Sequence, residues 1–168
     1  MKIETIEFFY LAMPEVAYTV DGSQDALVVR IQADGLTGWG ECEASPLVSV
    51  AAFIAPMSHA ACQPVSASVL GCDFNSPDDI RAIAAAVAYN SMDLLQAAHT
   101  WSGIEMALWD LLGKVRGEPA WKLLGYDCTF PKMPYASVLF GETPEITLAR
   151  ARDIVGKGFR AAKFGWAP

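Results

Sequence analysis

Apolar and polar side chains alternate from Ile3 to Tyr10, and a second run, Ala26 to Gln32, is rich in β-branched residues. Both read as strands with one buried face. Asp34-Gly35 follows the second run, and a type I′ turn needs positive φ at both central positions, so Leu36 to Glu43 is expected to return as a third strand. The chain thus opens with an antiparallel meander. The connector Met13 to Asp25 carries Pro14 and Asp21-Gly22 and is too long for a tight hairpin. Ordered loops of that length are often functional.

The pattern then changes period. Pro77 and Asp78-Asp79 place a rigid φ and negative charge at a helix start, after which Ile80, Ile83, Ala84 and Val87 recur at helical spacing. A cleaner stripe follows in Ile104, Ala107, Leu108, Leu111, Leu112 and Val115, with Lys114 and Arg116 near the negative end of the dipole and Gly117 as the stop. Ser102 and Glu105 have the spacing of a capping box. Pro119 is expected to start a short helical turn ended by Gly125.

Near Pro131 the character changes again. Pro134 to Phe140 reads as a strand, and Thr143-Pro144-Glu145 reads as an N-cap with proline at the first helical position. Leu148, Ala151 and Val155 form the expected buried stripe, Gly156 and Gly158 close the helix, and Phe159 to Trp166 is another strand. A strand, helix and strand in about 35 residues form a βαβ unit, which requires a parallel pair. The boundary between the two parts is expected between Gly125 and Pro131.

Composition narrows the function classes. Over 168 residues, 53 % are hydrophobic, enough for a packed core. The net charge is −7, spread along the chain, which argues against nucleic acid and anionic membrane surfaces and favours a small-molecule ligand or a protein partner. The N-terminus lacks the apolar run of a signal peptide, and no run approaches membrane-spanning length, so a cytoplasmic location is expected. Cys42, Cys62, Cys72 and Cys128 show neither CxxC nor zinc-ligand spacing and read as reduced thiols. His59 and His99 are isolated and read as packing or surface residues.

Three local sequences are more specific: Gly38-Trp39-Gly40-Glu41, the run Ser102 to Lys114 (Ser-Gly-Ile-Glu-Met-Ala-Leu-Trp-Asp-Leu-Leu-Gly-Lys), and Phe159-Arg160-Ala161-Ala162-Lys163. In their order they resemble the mandelate racemase and muconate lactonizing branch of the enolase superfamily over essentially the whole chain. The resemblance implies an α+β N-terminal capping domain, a three-stranded antiparallel meander plus helices, over residues 1–128. Residues 129–168 would be the first βαβ of a modified TIM (β/α) barrel whose remainder is absent. A barrel needs about 250 residues, so a complete enzyme of about 370 residues is expected, and this chain alone is expected to be inactive.

The resemblance also assigns function. In the family two mobile loops of the capping domain close over the barrel mouth, here Val16 to Gln24 and Cys42 to Val50. It therefore implies Tyr18, Val20, Ser45, Pro46 and Leu47 as contacts to the distal end of a substrate. Lys163 is the catalytic candidate: strand alternation places Ala161, Lys163 and Gly165 on one face, opposite Phe164. The family's usual motif is Lys-x-Lys, whereas this chain reads Lys163-Phe164-Gly165. Lys163 can take the electrostatic supporting role, but Gly165 cannot act as a base.

That departure favours a sugar-acid dehydratase over a racemase, epimerase or cycloisomerase of the same superfamily. The expected substrate is a small carboxylate and the expected cofactor Mg²⁺, held by an Asp and two Glu of later strands, with no metal ligand within these residues. A homo-oligomer is expected by analogy. If the chain is naturally this short, a non-catalytic capping or interaction module is the alternative.

Overall fold

The computed structural model describes residues 1–16, 24–42 and 45–165. The chain divides into two compact units, Met1–Asp127 and Cys128–Pro168. In the first, strands β1 (Thr5–Leu11), β2 (Ala26–Ala33) and β3 (Leu36–Cys42) form an antiparallel sheet in the order β1-β2-β3. Burial alternates residue by residue along β2, with Leu27, Val29, Ile31 and Ala33 fully covered. The Asp34-Gly35 turn carries φ of 49° and 77°, the positive pair that a type I′ hairpin requires. Register pairs Arg30 with Glu7 on β1 and with Trp39 on β3. On the outer face Arg30 donates to both Glu7 carboxylate oxygens at 2.7 and 2.8 Å.

Among the described residues five helices follow in this unit: α1 (Pro46–Ile54), α2 (Val65–Val69), α3 (Pro77–Asn90), α4 (Ala97–Arg116) and α5 (Ala120–Leu123). The expected loop Cys42 to Val50 is therefore a helix from Pro46 onward. Its sequence, Pro-Leu-Val-Ser-Val-Ala-Ala-Phe-Ile, has no charged face to reveal a helical period. Packing decides it, because Ser49, Ala52 and Phe53 are buried and Phe53 sits edge-on against Phe8 at 4.9 Å. The start of α3 is conventional: Ser76 Oγ accepts from Asp79 N, while the Asp79 carboxylate accepts from Asn75 N and Ser76 Oγ. Those bonds, led by the Asn75 amide, hold the Asp79 carboxyl below its ordinary value.

Helix α4 is the spine. It buries Ile104, Ala107, Leu108, Leu111 and Leu112 against the sheet. Two expectations about it are corrected. It begins at Ala97, so Ser102 and Glu105 lie inside it rather than in a capping box, and Glu105 instead accepts from Trp109 Nε1 at 3.3 Å. Val115 is 47 % exposed and Leu36, at the hairpin end of β3, is 39 % exposed, so the stripe's cover stops at Leu112.

The Gly-Trp-Gly strand explains how closely α4 approaches. A Cβ on Gly40 would lie 2.0 Å from the Gly103 carbonyl oxygen, and one on Gly38 would lie 2.2 Å from that of Ala107. Strand and helix therefore meet backbone to backbone. The outer edge of β3 is satisfied by the same helix: Trp39 N donates to Asp110 Oδ2 at 2.9 Å, and Lys114 Nζ donates to the Thr37 carbonyl and to Asp110, both at 2.7 Å. The residues of the Ser102 to Lys114 run thus pack β3 and cap its edge.

In the second unit β4 (Ala136–Leu139) and β5 (Ala162–Gly165) pair in parallel, with α6 (Pro144–Gly156) between them in sequence. Both strands are shorter than expected. Thr143 caps α6 by accepting from Ile146 N at 3.4 Å. The expected stripe is not buried: Leu148 and Val155 are 51 % and 70 % exposed, Ala151 is half-buried, and the covered hydrophobic residue of α6 is Ile154. Two four-residue strands offer too little surface to cover a helix face.

Candidate functional site

In the first unit the end of β1, the start of β2 and the end of β3 converge at one edge of the sheet. A cleft of about 370 Å³ opens there, lined by Val16, Gln24, Asp25, Glu41, Cys42, Ser45 and Pro46. Asp25 organises its floor. Its carboxylate accepts from the Tyr10 hydroxyl and, at 2.8 Å, from the Met13 amide, so the two ends of the Met13 to Asp25 connector are drawn together. The Tyr10 bond, then the Met13 bond, holds the Asp25 carboxyl below its ordinary value, and the same contact raises the Tyr10 phenol. Asp25 is therefore ionised, and Tyr10 neutral, near neutral pH.

Cys42 closes the other side. Its thiol is buried and donates weakly to the Thr100 carbonyl at 3.7 Å. Burial pushes its pKa up to about 11, so it is a packing thiol rather than a nucleophile. Gly103 makes the fit possible, since a Cβ there would lie 2.5 Å from Cys42 Sγ.

Of the sequence candidates, Ser45 and Pro46 line this cleft. Leu47 is 64 % exposed on the first turn of α1 and is not part of the lining. Tyr18 and Val20 lie outside the described residues. Sequence reasoning missed Tyr10 and Asp25, whose pairing spans 15 positions and obeys no local motif; the one available signal was an acidic residue standing directly before β2.

In the second unit Lys163 is exposed on β5, directly across from Ser137 of β4, with Phe164 on the opposite face stacked on Phe140 at 5.5 Å. A Cβ at Gly165 would meet no atom within 4 Å, so packing does not require the glycine. Arg150 of α6 donates to the carbonyls of Leu139 and Phe140 at 2.9 and 2.7 Å and fixes the end of β4.

Among the described residues no three His, Cys, Asp or Glu side chains gather closely enough to hold a metal ion. No ligand to the Mg²⁺ that the resemblance implies is assigned among them. Nor, among them, is any helix long and apolar enough to cross a membrane. His59 is a surface residue, 2.8 Å from Asp93.

Comparison with known proteins places these features in a family. Residues 6–125 match the mandelate racemase / muconate lactonizing enzyme N-terminal domain. The chain is 62 % identical to a predicted mandelate racemase from Rhodobacter sphaeroides of known structure, with a TM-score of 0.94, covering 99 % of this chain and 43 % of that one. A mandelate racemase/muconate lactonizing protein from Paracoccus denitrificans, solved in complex with magnesium, is 25 % identical with a TM-score of 0.69, over 99 % of this chain and 42 % of its own. A D-galactonate dehydratase from Xanthomonas campestris is 30 % identical over 82 % of this chain and 34 % of its own length. The chain thus spans about a third of that curated relative. With a meander packed glycine to backbone on α4, and then a parallel strand pair, the chain belongs to the mandelate racemase and muconate lactonizing enzyme family of the enolase superfamily, whose N-terminal capping domain forms its first unit.

Proposed function

We propose that this chain is the N-terminal part of a Mg²⁺-dependent enzyme that removes the proton α to a carboxylate and eliminates water from a sugar acid. In this reading residues 1–128 are the capping domain, residues 129–168 begin the barrel, and the metal ligands belong to barrel strands further along the length of the relatives. The observation that carries it is Lys163: an ammonium exposed on the face of a parallel strand opposite Phe164, followed two residues later by Gly165. Such a cation stabilises the carboxylate and the negative charge that develops as the α-proton leaves. With glycine at position 165, proton removal falls to a group on another strand, and a single base suits elimination better than racemisation. The relation to a D-galactonate dehydratase supports the same substrate class. The cleft bordered by Ser45, Pro46 and Asp25 then receives the distal, hydroxyl-bearing end of the substrate.

Racemisation or epimerisation is the second reading, favoured by the likeness to the Rhodobacter sphaeroides protein. One experiment separates them. The longest natural form of the protein is incubated with Mg²⁺ in deuterated water across a sugar-acid panel that includes D-galactonate. EDTA-sensitive formation of a 2-keto-3-deoxy acid supports dehydration, deuterium exchange with inversion supports racemisation, and absence of both overturns the enzymatic reading. Lys163→Ala is expected to lower kcat about a hundredfold or more, the loss typical of a removed electrostatic donor.

A further inference from the structure

The candidate contacts Ser45, Pro46 and Leu47 are bracketed by Cys42 and Ser49, and both brackets are tied to one residue of α4. Thr100 is fully buried. Its hydroxyl lies 3.0 Å from the Ser49 carbonyl of α1, and its own carbonyl accepts the Cys42 thiol of β3. The Gln96 carbonyl of the preceding turn is also within reach, at 3.2 Å. The hydroxyl has one proton, and its shorter partner is on α1.

A fully buried hydroxyl costs desolvation that valine, of the same shape, would not incur. Its use is visible in how α1 begins. Ser45 makes no side-chain cap and the first turn holds no acidic residue, so neither of the usual devices secures this helix start. The apolar anchors Ala52 and Phe53 lie at the far end. At the cleft end the chain is held by Pro46 and Ser49, and Ser49 is linked back by its amide to the Ser45 carbonyl at 3.0 Å.

We propose that Thr100 is a positioning residue whose hydroxyl acts through Ser49 to hold Ser45 and Pro46 at the cleft, and so sets how tightly the protein grips the distal end of its substrate. The proposal rests on the reading of that cleft as part of the substrate site. Thr100 does not line the cleft, and its effect is therefore on binding of the substrate end rather than on the chemical step.

Two measurements on the full-length protein test this. In hydrogen–deuterium exchange, Thr100→Val is expected to accelerate exchange over residues 46–54 about five- to tenfold, the effect of losing one buried hydrogen bond, with residues 77–90 unchanged. In steady-state turnover of D-galactonate with Mg²⁺, KM is expected to rise by a similar factor while kcat stays within about twofold. Thr100→Ser, which keeps the hydroxyl, restores both. Unchanged exchange over 46–54 overturns the tie to α1, and faster exchange with unaltered KM overturns the role in substrate grip. If Thr100→Val does not fold by circular dichroism, Thr100→Ala is read against Thr100→Ser in the same two arms. If the wild type turns over no acid of the panel, the functional reading has failed instead, and the exchange arm alone decides whether Thr100 holds α1.

Discussion

Helices α4 and α6 carry similar apolar periodicity and meet opposite fates. Nine residues of α4 are buried over its 20 positions, whereas α6 buries Ile154 alone over 13. The difference lies in what each unit supplies as cover. Three strands of seven or eight residues, with glycines at 38 and 40, let α4 sink onto the sheet, while two four-residue strands leave Leu148 and Val155 bare. An apolar stripe states which face of a helix seeks cover; only the surrounding elements state whether cover exists. The first unit therefore closes a core around α4, whereas the second leaves most of the α6 stripe exposed.

The sharpest way to break this comparison is a matched pair of truncations. Leu108→Ala should destabilise the first unit by about 2–5 kcal/mol, and Leu148→Ala should change stability by no more than about 0.5 kcal/mol, both read by urea denaturation. Equal effects would show that α6 is as well covered as α4. Next in size, Gly40→Ala forces a methyl into the Gly103 carbonyl and should cost about 3 kcal/mol; a variant as stable as wild type would refute the close strand–helix contact.

A pH titration probes the same seam. Because the folded-state pKa of Cys42 is raised from 9.0 to about 11, the buried neutral thiol contributes fully below pH 9.0, and its contribution is lost as pH climbs through about 11. Relative to Cys42→Ala, wild type should lose about 2 kcal/mol across that interval. A parallel decline in the two proteins would show that the thiol is not buried. A smaller loss is expected at the sheet edge, where Asp110→Ala frees the Trp39 amide and removes the partner of Lys114. It should cost about 1 kcal/mol and accelerate exchange of the Trp39 amide, with no effect on residues 128–165.

Much of this architecture was legible in local patterns. The meander, the Asp34-Gly35 hairpin, the Pro77 and Pro144 helix starts and the Gly117 stop all follow from signals within a few residues, where backbone sterics and capping operate. Helix α1 was not legible, because a nearly uniform apolar run shows no period until Ser49, Ala52 and Phe53 find α4 and Phe8. The start of α4 was misplaced for a related reason. Ser102 and Glu105 offered a plausible cap, yet Thr100 and Trp101 are buried and continue the helix back to Ala97. The candidate site divides the same way: Lys163 and the Ser45 to Leu47 segment came from motif positions, while Tyr10, Asp25, Cys42 and Thr100 are joined only by contacts between distant parts of the chain.

What the sequence alone determined, then, was the order of elements, the family, and the replacement of a second lysine by Gly165, since each is written in short-range chemistry or in motif identity. The tertiary structure decided which stripes are covered, that Asp110 and Lys114 serve the edge of β3, and that Asp25 clamps the long connector. Those outcomes depend on distances between residues up to 77 positions apart, and burial and hydrogen bonding at such separations are set by packing that no local pattern encodes.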